Sequence, residues 1–190
     1  MDESYLGFLS RELFFGRTVF NYLSKSPLKS LPAAFTIVAL GGLISFFTNL
    51  EPILLFYISP TPGVLQVWFL LMFPLGWFTT FAVADLLCRV FYHQRGGELS
   101  LINGTAFAML PLLVVPGLVL LVRPFSTVIQ SATALTILLQ VVVQLWVVCL
   151  LSRAVSVSKG LPMERTALIS LAVMYVNVTA VVFALQLGVF

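Results

Sequence analysis

Five long stretches of this chain contain no charged residue: 30–50, 52–84, 99–122, 124–152 and 166–190. About 30 Å of hydrocarbon divided by a rise of 1.5 Å per residue asks for roughly 20 apolar residues per spanning helix. Each stretch is therefore long enough to cross a bilayer once. Only 9% of the chain is Asp, Glu, Lys or Arg, and 60% is hydrophobic. A water-soluble domain carries about 25% charged residues, and this chain has too few polar side chains to cover the surface of a soluble globule. The expected fold class is all-α, a polytopic integral membrane protein with five transmembrane helices in one bundle, all within a single membrane domain.

Prolines refine the boundaries. Pro60-Thr61-Pro62-Gly63 interrupts the second stretch, because proline removes a donor and biases its predecessor away from helix. Residues 51–63 are expected as an interfacial loop, and Arg123-Pro124 as a tight connection between the third and fourth helices. The spans are expected near 31–50, 64–88, 102–122, 127–151 and 166–188. Pro74, Pro111 and Pro116 fall inside spans, where each frees a carbonyl and can kink the helix.

Charge placement sets the expected orientation. With the N-terminus inside, the inner segments hold Arg11, Arg17, Lys25, Lys29, Arg89, Arg95, Arg153, Lys159 and Arg165, whereas the outer ones hold only Arg123. The positive-inside rule then places the N-terminus in the cytoplasm and Phe190 outside, in the cytoplasmic (inner) membrane of a prokaryote.

Residues 1–29 precede the first span. Leu6, Leu9, Leu13, Val19, Phe20 and Leu23 share one helical arc with Tyr5, Phe8 and Phe15, opposite Glu3, Ser10, Arg17, Asn21 and Lys25. Glu12 and Phe14 fall on the wrong sides. The segment reads either as an amphipathic helix on the inner membrane face or as a helix packed against the bundle's cytoplasmic loops.

Polar residues at membrane depth are the candidate sites. Asp85 lies near the inner end of the second span with Arg89 four residues on, an arrangement that favours an intrahelical ion pair. Read as structure, the pair is an anchor; read as function, Asp85 carries a proton or ion. Gln140 and Gln144 lie one turn apart in the fourth span, and Asn177 lies in the fifth. They are either interhelical hydrogen-bonding groups or a polar lining. Gly41 and Ser45 form a small pair that permits close helix approach. Gly96 and Gly97 suit a tight turn, with Ser100 or Asn103 as the cap of the next helix. Cys88 and Cys149, inside apolar runs, are expected as small buried hydrophobes.

No phosphate-binding glycine loop, Gly-x-Ser-x-Gly elbow or His-Glu-x-x-His pattern occurs, and the single histidine, His93, has no Cys or His near it in sequence. The expectation is a protein that is not an enzyme, with no cofactor, no metal and no nucleic-acid role.

Two segments carry a family resemblance. Gly96-Gly97-Glu98-Leu99-Ser100 is followed by Ala106-Phe107-Ala108-Met109-Leu110-Pro111. Gly7-Phe8 through Thr18 leads to Ser26-Pro27, and Trp146 through Ser158 leads to Arg165-Thr166-Ala167. Together these resemble the YIP-domain family of Ypt- and Rab-interacting membrane proteins, in a prokaryotic-type member. The resemblance implies five spans and a cytoplasmic N-terminus. Its eukaryotic members bind Rab GTPases through a long cytosolic N-terminal region; with residues 1–29 in that place, Rab binding is not carried over.

The leading expectation is a non-enzymatic membrane adaptor or organiser that binds protein partners or lipid, anionic lipid included, through a basic cytoplasmic face. That face would comprise the Gly96-Gly97 loop, residues 152–165 and the N-terminal helix. The alternatives are a small-solute or ion transporter or channel, or an accessory subunit of a larger membrane complex. The partner would be a membrane protein or a second copy of the chain.

Overall fold

In the computed structural model, residues 17–48, 62–113 and 133–186 are described. Every regular element among them is a helix: α1 (Arg17–Lys25), α2 (Pro27–Thr48), α3 (Pro62–Tyr92), α4 (Glu98–Ala108), a 3₁₀ turn (Leu110–Leu113), α5 (Thr133–Lys159) and α6 (Met163–Gln186). Residues 1–16, most of the expected 51–63 loop, Pro116, the Arg123-Pro124 connection and the distal half of the third expected span lie outside the described residues.

Three helices are long and apolar enough to cross a membrane, over Pro27–Ser45, Leu70–Tyr92 and Val141–Lys159. They mark the chain as an integral membrane protein. Exposed Phe35, Leu40, Leu75, Phe78, Val142, Leu145, Leu171 and Phe183 stud the outside of the bundle, a surface suited to lipid rather than water.

The helices overrun their expected ends where local chemistry lets them. Pro27 opens α2 because a helix's first turn has no use for the missing N–H. α3 continues past residue 88 to Tyr92, then stops at His93, whose φ is 54°. α5 continues past residue 151 to Lys159 and stops at Gly160, φ 67°. Residues 152–159 are thus helix, not the expected loop, and the link to α6 is only Gly160-Leu161-Pro162.

α4 begins earlier than expected, and for a different reason. Gly97, at φ 72°, occupies the N-cap position with no side-chain cap, and the Leu101 amide donates to the Gly97 carbonyl at 2.9 Å. Ser100 and Asn103, expected as rival caps, therefore lie inside the helix and are free to bond elsewhere. The helix ends before Pro111, which disfavours α geometry at Leu110 and lacks a donor. The Met109 amide is shared between the Thr105 and Ala106 carbonyls, and Leu112 donates to the Met109 carbonyl at 2.9 Å. Pro111 therefore ends the helix in a tighter turn and is itself buried.

α4 occupies the middle of the bundle, packed by α1, α2, α3 and α5, while α6 closes the outside against α3 and α5. Most of α4 is buried, including Ser100, Leu101, Asn103, Gly104, Thr105, Ala106 and Ala108. On one side Leu101 and Ala108 join Phe20, Leu23, Ala84, Cys88, Leu151, Ala154 and Val155. On the other, Ala106 and Met109 join Ala34, Val38, Phe73 and Trp77. In the described part of the N-terminal segment Phe20 and Leu23 are buried in the core, and α1 packs against the helices α4 and α5 rather than against loops. Cys88 is buried as expected, whereas Cys149 is exposed on the bundle's outer face.

Glycines set the closest seam. A Cβ on Gly41 would run into the Phe73 ring, and one on Gly42 would lie 2.8 Å from the Leu70 carbonyl oxygen. The backbone of α2 thus lies directly on α3, and the contact at Gly42 is with main chain that cannot rotate away. Gly42→Leu is expected to lower stability by about 1–3 kcal/mol, while Leu43→Ala, on the exposed face, changes it by about 0.5 kcal/mol or less. Reversible unfolding of the full chain in mixed micelles measures both; equal effects would contradict the seam.

Candidate functional site

Five helix ends meet at one end of the bundle: the start of α2, the end of α3, the start of α4, the end of α5 and the start of α6. Hydrogen bonds and ion pairs between these ends define the junction. Asn103 Nδ2 donates to the Pro27 carbonyl at 2.6 Å and to Ser30 Oγ at 2.8 Å, tying α4 to α2. The Ser100 and Ser158 hydroxyls lie 3.0 Å apart, tying α4 to α5. A Cβ on Gly97 would strike the Ser158 carbonyl, so glycine is required there for close approach as well as for its positive φ. Arg165 of α6 lies 5.6 Å over the Tyr92 ring at the end of α3, a cation–π contact.

Four charged side chains form a chain of contacts at this junction. Lys159 Nζ donates to Asp85 Oδ1 at 2.5 Å and to the Gly96 carbonyl at 2.7 Å. Asp85 Oδ2 lies 2.6 Å from Arg89 Nε, and an Arg89 terminal nitrogen donates to Glu98 Oε1 at 3.0 Å. The Gly96 amide also donates to Glu98 Oε1, at 3.1 Å. Two cations and two anions make the set neutral, and Gly96 is gripped through both its N–H and its carbonyl. The side chain of Lys159 is fully enclosed and that of Asp85 nearly so, whereas Arg89 and Glu98 are half-exposed at the rim.

Burial sets the energetics of the inner pair. An ammonium withdrawn from water is tolerated only when acceptors replace the solvent it has lost. The outer pair is solvated and contributes little by itself. The Glu98 carboxyl is held below the usual carboxylate range, first by its own backbone N–H, then by that of Gly96, with Lys159 and Arg89 adding to the effect. A carboxyl lowered on folding stabilises fully above its unfolded pKa, and that stabilisation is lost as pH falls through the lower folded value.

The sequence candidates separate in space. Asp85, Arg89, Gly96, Gly97 and Ser100 converge on this junction. Asn177 does not; it lies farther along the bundle and bonds α6 to α3. Its Nδ2 donates to Thr80 Oγ1 at 2.8 Å, while Thr79 Oγ1 donates to its Oδ1 at 2.9 Å. Gln144 Oε1 is buried without a hydrogen-bond partner, and the Gln140 side chain lies outside the described residues. Pro111 ends α4 away from the charges.

Lys159 is the residue that sequence reasoning missed. Counted among loop cations, it is carried into the interior because α5 runs eight residues beyond its expected end. The available signal was Asp85 itself, the one acidic residue placed within a span and therefore in need of a cation from another helix. Among the described residues no three His, Cys, Asp or Glu side chains come together as metal ligands. Comparison with family models, curated proteins and solved structures gave no match.

Asp85→Asn leaves the enclosed Lys159 without its counter-charge and is expected to cost about 3–5 kcal/mol. Asp85→Asn with Lys159→Met is expected to cost less than the sum of the two single changes. A double-mutant cycle on unfolding free energy tests this, and additivity would sink the pairing. Glu98→Gln is expected to flatten the acid limb of the stability–pH curve, recorded as melting temperature from neutral pH down through and below the ordinary carboxylate range.

Proposed function

We propose that this chain is a non-enzymatic membrane adaptor or organiser: a five-span bundle, N-terminus in the cytoplasm of a prokaryote, whose basic inner face binds anionic lipid or a protein partner. The arrangement of charge supports this reading most. At the junction the buried charges neutralise one another, and around them Lys25, Lys29, Arg95 and Arg165 remain exposed. A cationic rim over a neutral, cross-linked interior is suited to holding a surface in place rather than to passing ions. The soft resemblance to the YIP-domain family agrees with the same five-span reading.

Two of the groups that a transport path would use, Asp85 and Asn177, are otherwise engaged, whereas the buried Gln144 Oε1 has no hydrogen-bond partner. Asp85 is bound by Lys159 and Arg89, and the Asn177 amide by Thr79 and Thr80. An ion relay needs a carboxylate that exchanges partners with water, and here both carboxylate oxygens already face cations.

The test uses the full chain in phosphatidylcholine nanodiscs. Capture by vesicles containing phosphatidylglycerol is expected to fall with salt. It is expected to weaken by about 1 kcal/mol for each charge removed in Lys25→Gln, Lys29→Gln and Arg95→Gln. Crosslinking in native membranes, followed by identification of attached proteins, covers the protein-partner arm. No dependence on anionic lipid together with no reproducible crosslinked partner would overturn the proposal. A proton or ion flux abolished by Asp85→Asn in a folded chain would replace it with the transporter reading.

A further inference from the structure

Thr79 and Asn177 place polar atoms on a surface that lipid covers. Thr79 lies about 13 Å from one end of the Leu70–Tyr92 span and about 20 Å from the other, close to the middle of a bilayer, where no water is at hand. It is nonetheless exposed, and its hydrogen bond to the half-buried Asn177 lies on the outside of the seam between α3 and α6. Donors and acceptors there do not balance. The Thr79 hydroxyl has one hydrogen but faces two acceptors, the Gly76 carbonyl at 3.1 Å and Asn177 Oδ1 at 2.9 Å. Thr80 gives its own hydrogen to the same Gly76 carbonyl, at 2.6 Å. Asn177 spends one of its two amide hydrogens on Thr80 Oγ1, and the other has no acceptor among the described residues. The carboxamide thus keeps one N–H and one oxygen lone pair in reserve. Around it the surface is apolar: Leu75 and Leu86 share the Thr79 face of α3 by their spacing, and Leu171 and Val178 of α6 are exposed as they are.

An acyl chain offers neither donor nor acceptor, so at this depth only another protein group completes the set. A second copy of the chain does so with no further requirement. Copies of one chain share one topology, and a two-fold axis along the membrane normal brings Asn177 opposite Asn177 at a common depth. A carboxamide is its own complement, because the N–H of each can donate to the Oδ1 of the other. An unrelated partner would have to carry a matching polar group at that same level. We propose that the α3–α6 seam is the contact of a two-fold homodimer within the membrane, in which the two Asn177 side chains exchange hydrogen bonds beside Thr79 and the flanking leucines pack around them. The seam is remote from the basic face, and the proposal stands whether or not that face binds lipid.

Single-molecule photobleaching of the labelled full chain in liposomes, over a series of protein-to-lipid ratios, counts the copies in each particle. The wild type is expected to be dimeric at high ratios and to dissociate on dilution. Asn177→Leu is expected to weaken the dimer by about tenfold, through the loss of two interhelical hydrogen bonds, and Thr79→Val by less. Because Asn177→Leu also removes the tie between α6 and α3, a second measurement reads the seam with that residue intact. In a Cys149→Ser background, Leu75→Cys lies one turn from Thr79 and is expected to give a disulfide-linked dimer when native membranes are oxidised. Leu145→Cys, exposed on α5, is expected to give none. A chain that stays monomeric at the highest protein-to-lipid ratio overturns the proposal, as does equal crosslinking at the two cysteine positions. A Leu75→Cys product that contains a different protein in place of a second copy overturns it too. So does a dimer that Asn177→Leu and Thr79→Val both leave unchanged.

Discussion

The pairing of Lys159 with Asp85 is the constraint on which one end of this bundle depends. The fully enclosed ammonium of Lys159 cannot stay where it is without that carboxylate, because it has no solvent to replace it. Satisfying the ammonium takes the Asp85 carboxylate from α3 and the Gly96 carbonyl from the following loop. The second carboxylate oxygen then holds Arg89, and Arg89 holds Glu98 at the first turn of α4. A short linear series of contacts therefore fixes the directions of three helices and the path of the loop between two of them. Hydrophobic contact alone is non-directional and would leave those angles loosely set.

Neutral hydrogen bonds do the same work away from the charges, and they are used sparingly. Asn103 fastens the centre of the bundle to the start of α2, and Asn177 fastens α6 to a pair of threonines on α3. Each such group in a lipid-facing protein is worth about 1 kcal/mol or less on average. Their role is to choose among the many ways in which featureless apolar helices can pack. Gly42, Gly97 and Gly104 complement them by letting backbones meet; a Cβ on Gly104 would lie 3.0 Å from that of Ala154.

How much of this was legible in the sequence follows from the range of the forces involved. Helical class and membrane character are written in composition and in the spacing of charges, which are properties of single segments. The Asp85–Arg89 pair was legible because its members are four residues apart on one helix. Lys159 was not, since its contact with Asp85 joins residues 74 positions apart in the chain, and α5 had to run past its apolar stretch to bring it inside. The caps failed for a local reason. Ser100 and Asn103 are good capping residues, but Gly97 had already turned the chain at positive φ and started the helix earlier, releasing both for contacts between helices. The glycine pair was read as a turn, and its second role, close approach to Ser158, needed the position of α5. The amphipathic pattern of α1 identified its apolar face but could not say whether lipid or protein covers it.

The sequence distances in the charged junction also impose an order in time. A ribosome makes α3 and its Asp85 well before Lys159 exists, so the carboxylate must cross into the bilayer with some other counter-charge. Arg89 supplies it from the next turn of the same helix, and Glu98 and the Gly96 amide follow within a few residues. The charges of α3 and the start of α4 are thus matched among themselves, within residues 85–98. Lys159, made last with the end of α5, completes the set of four charges.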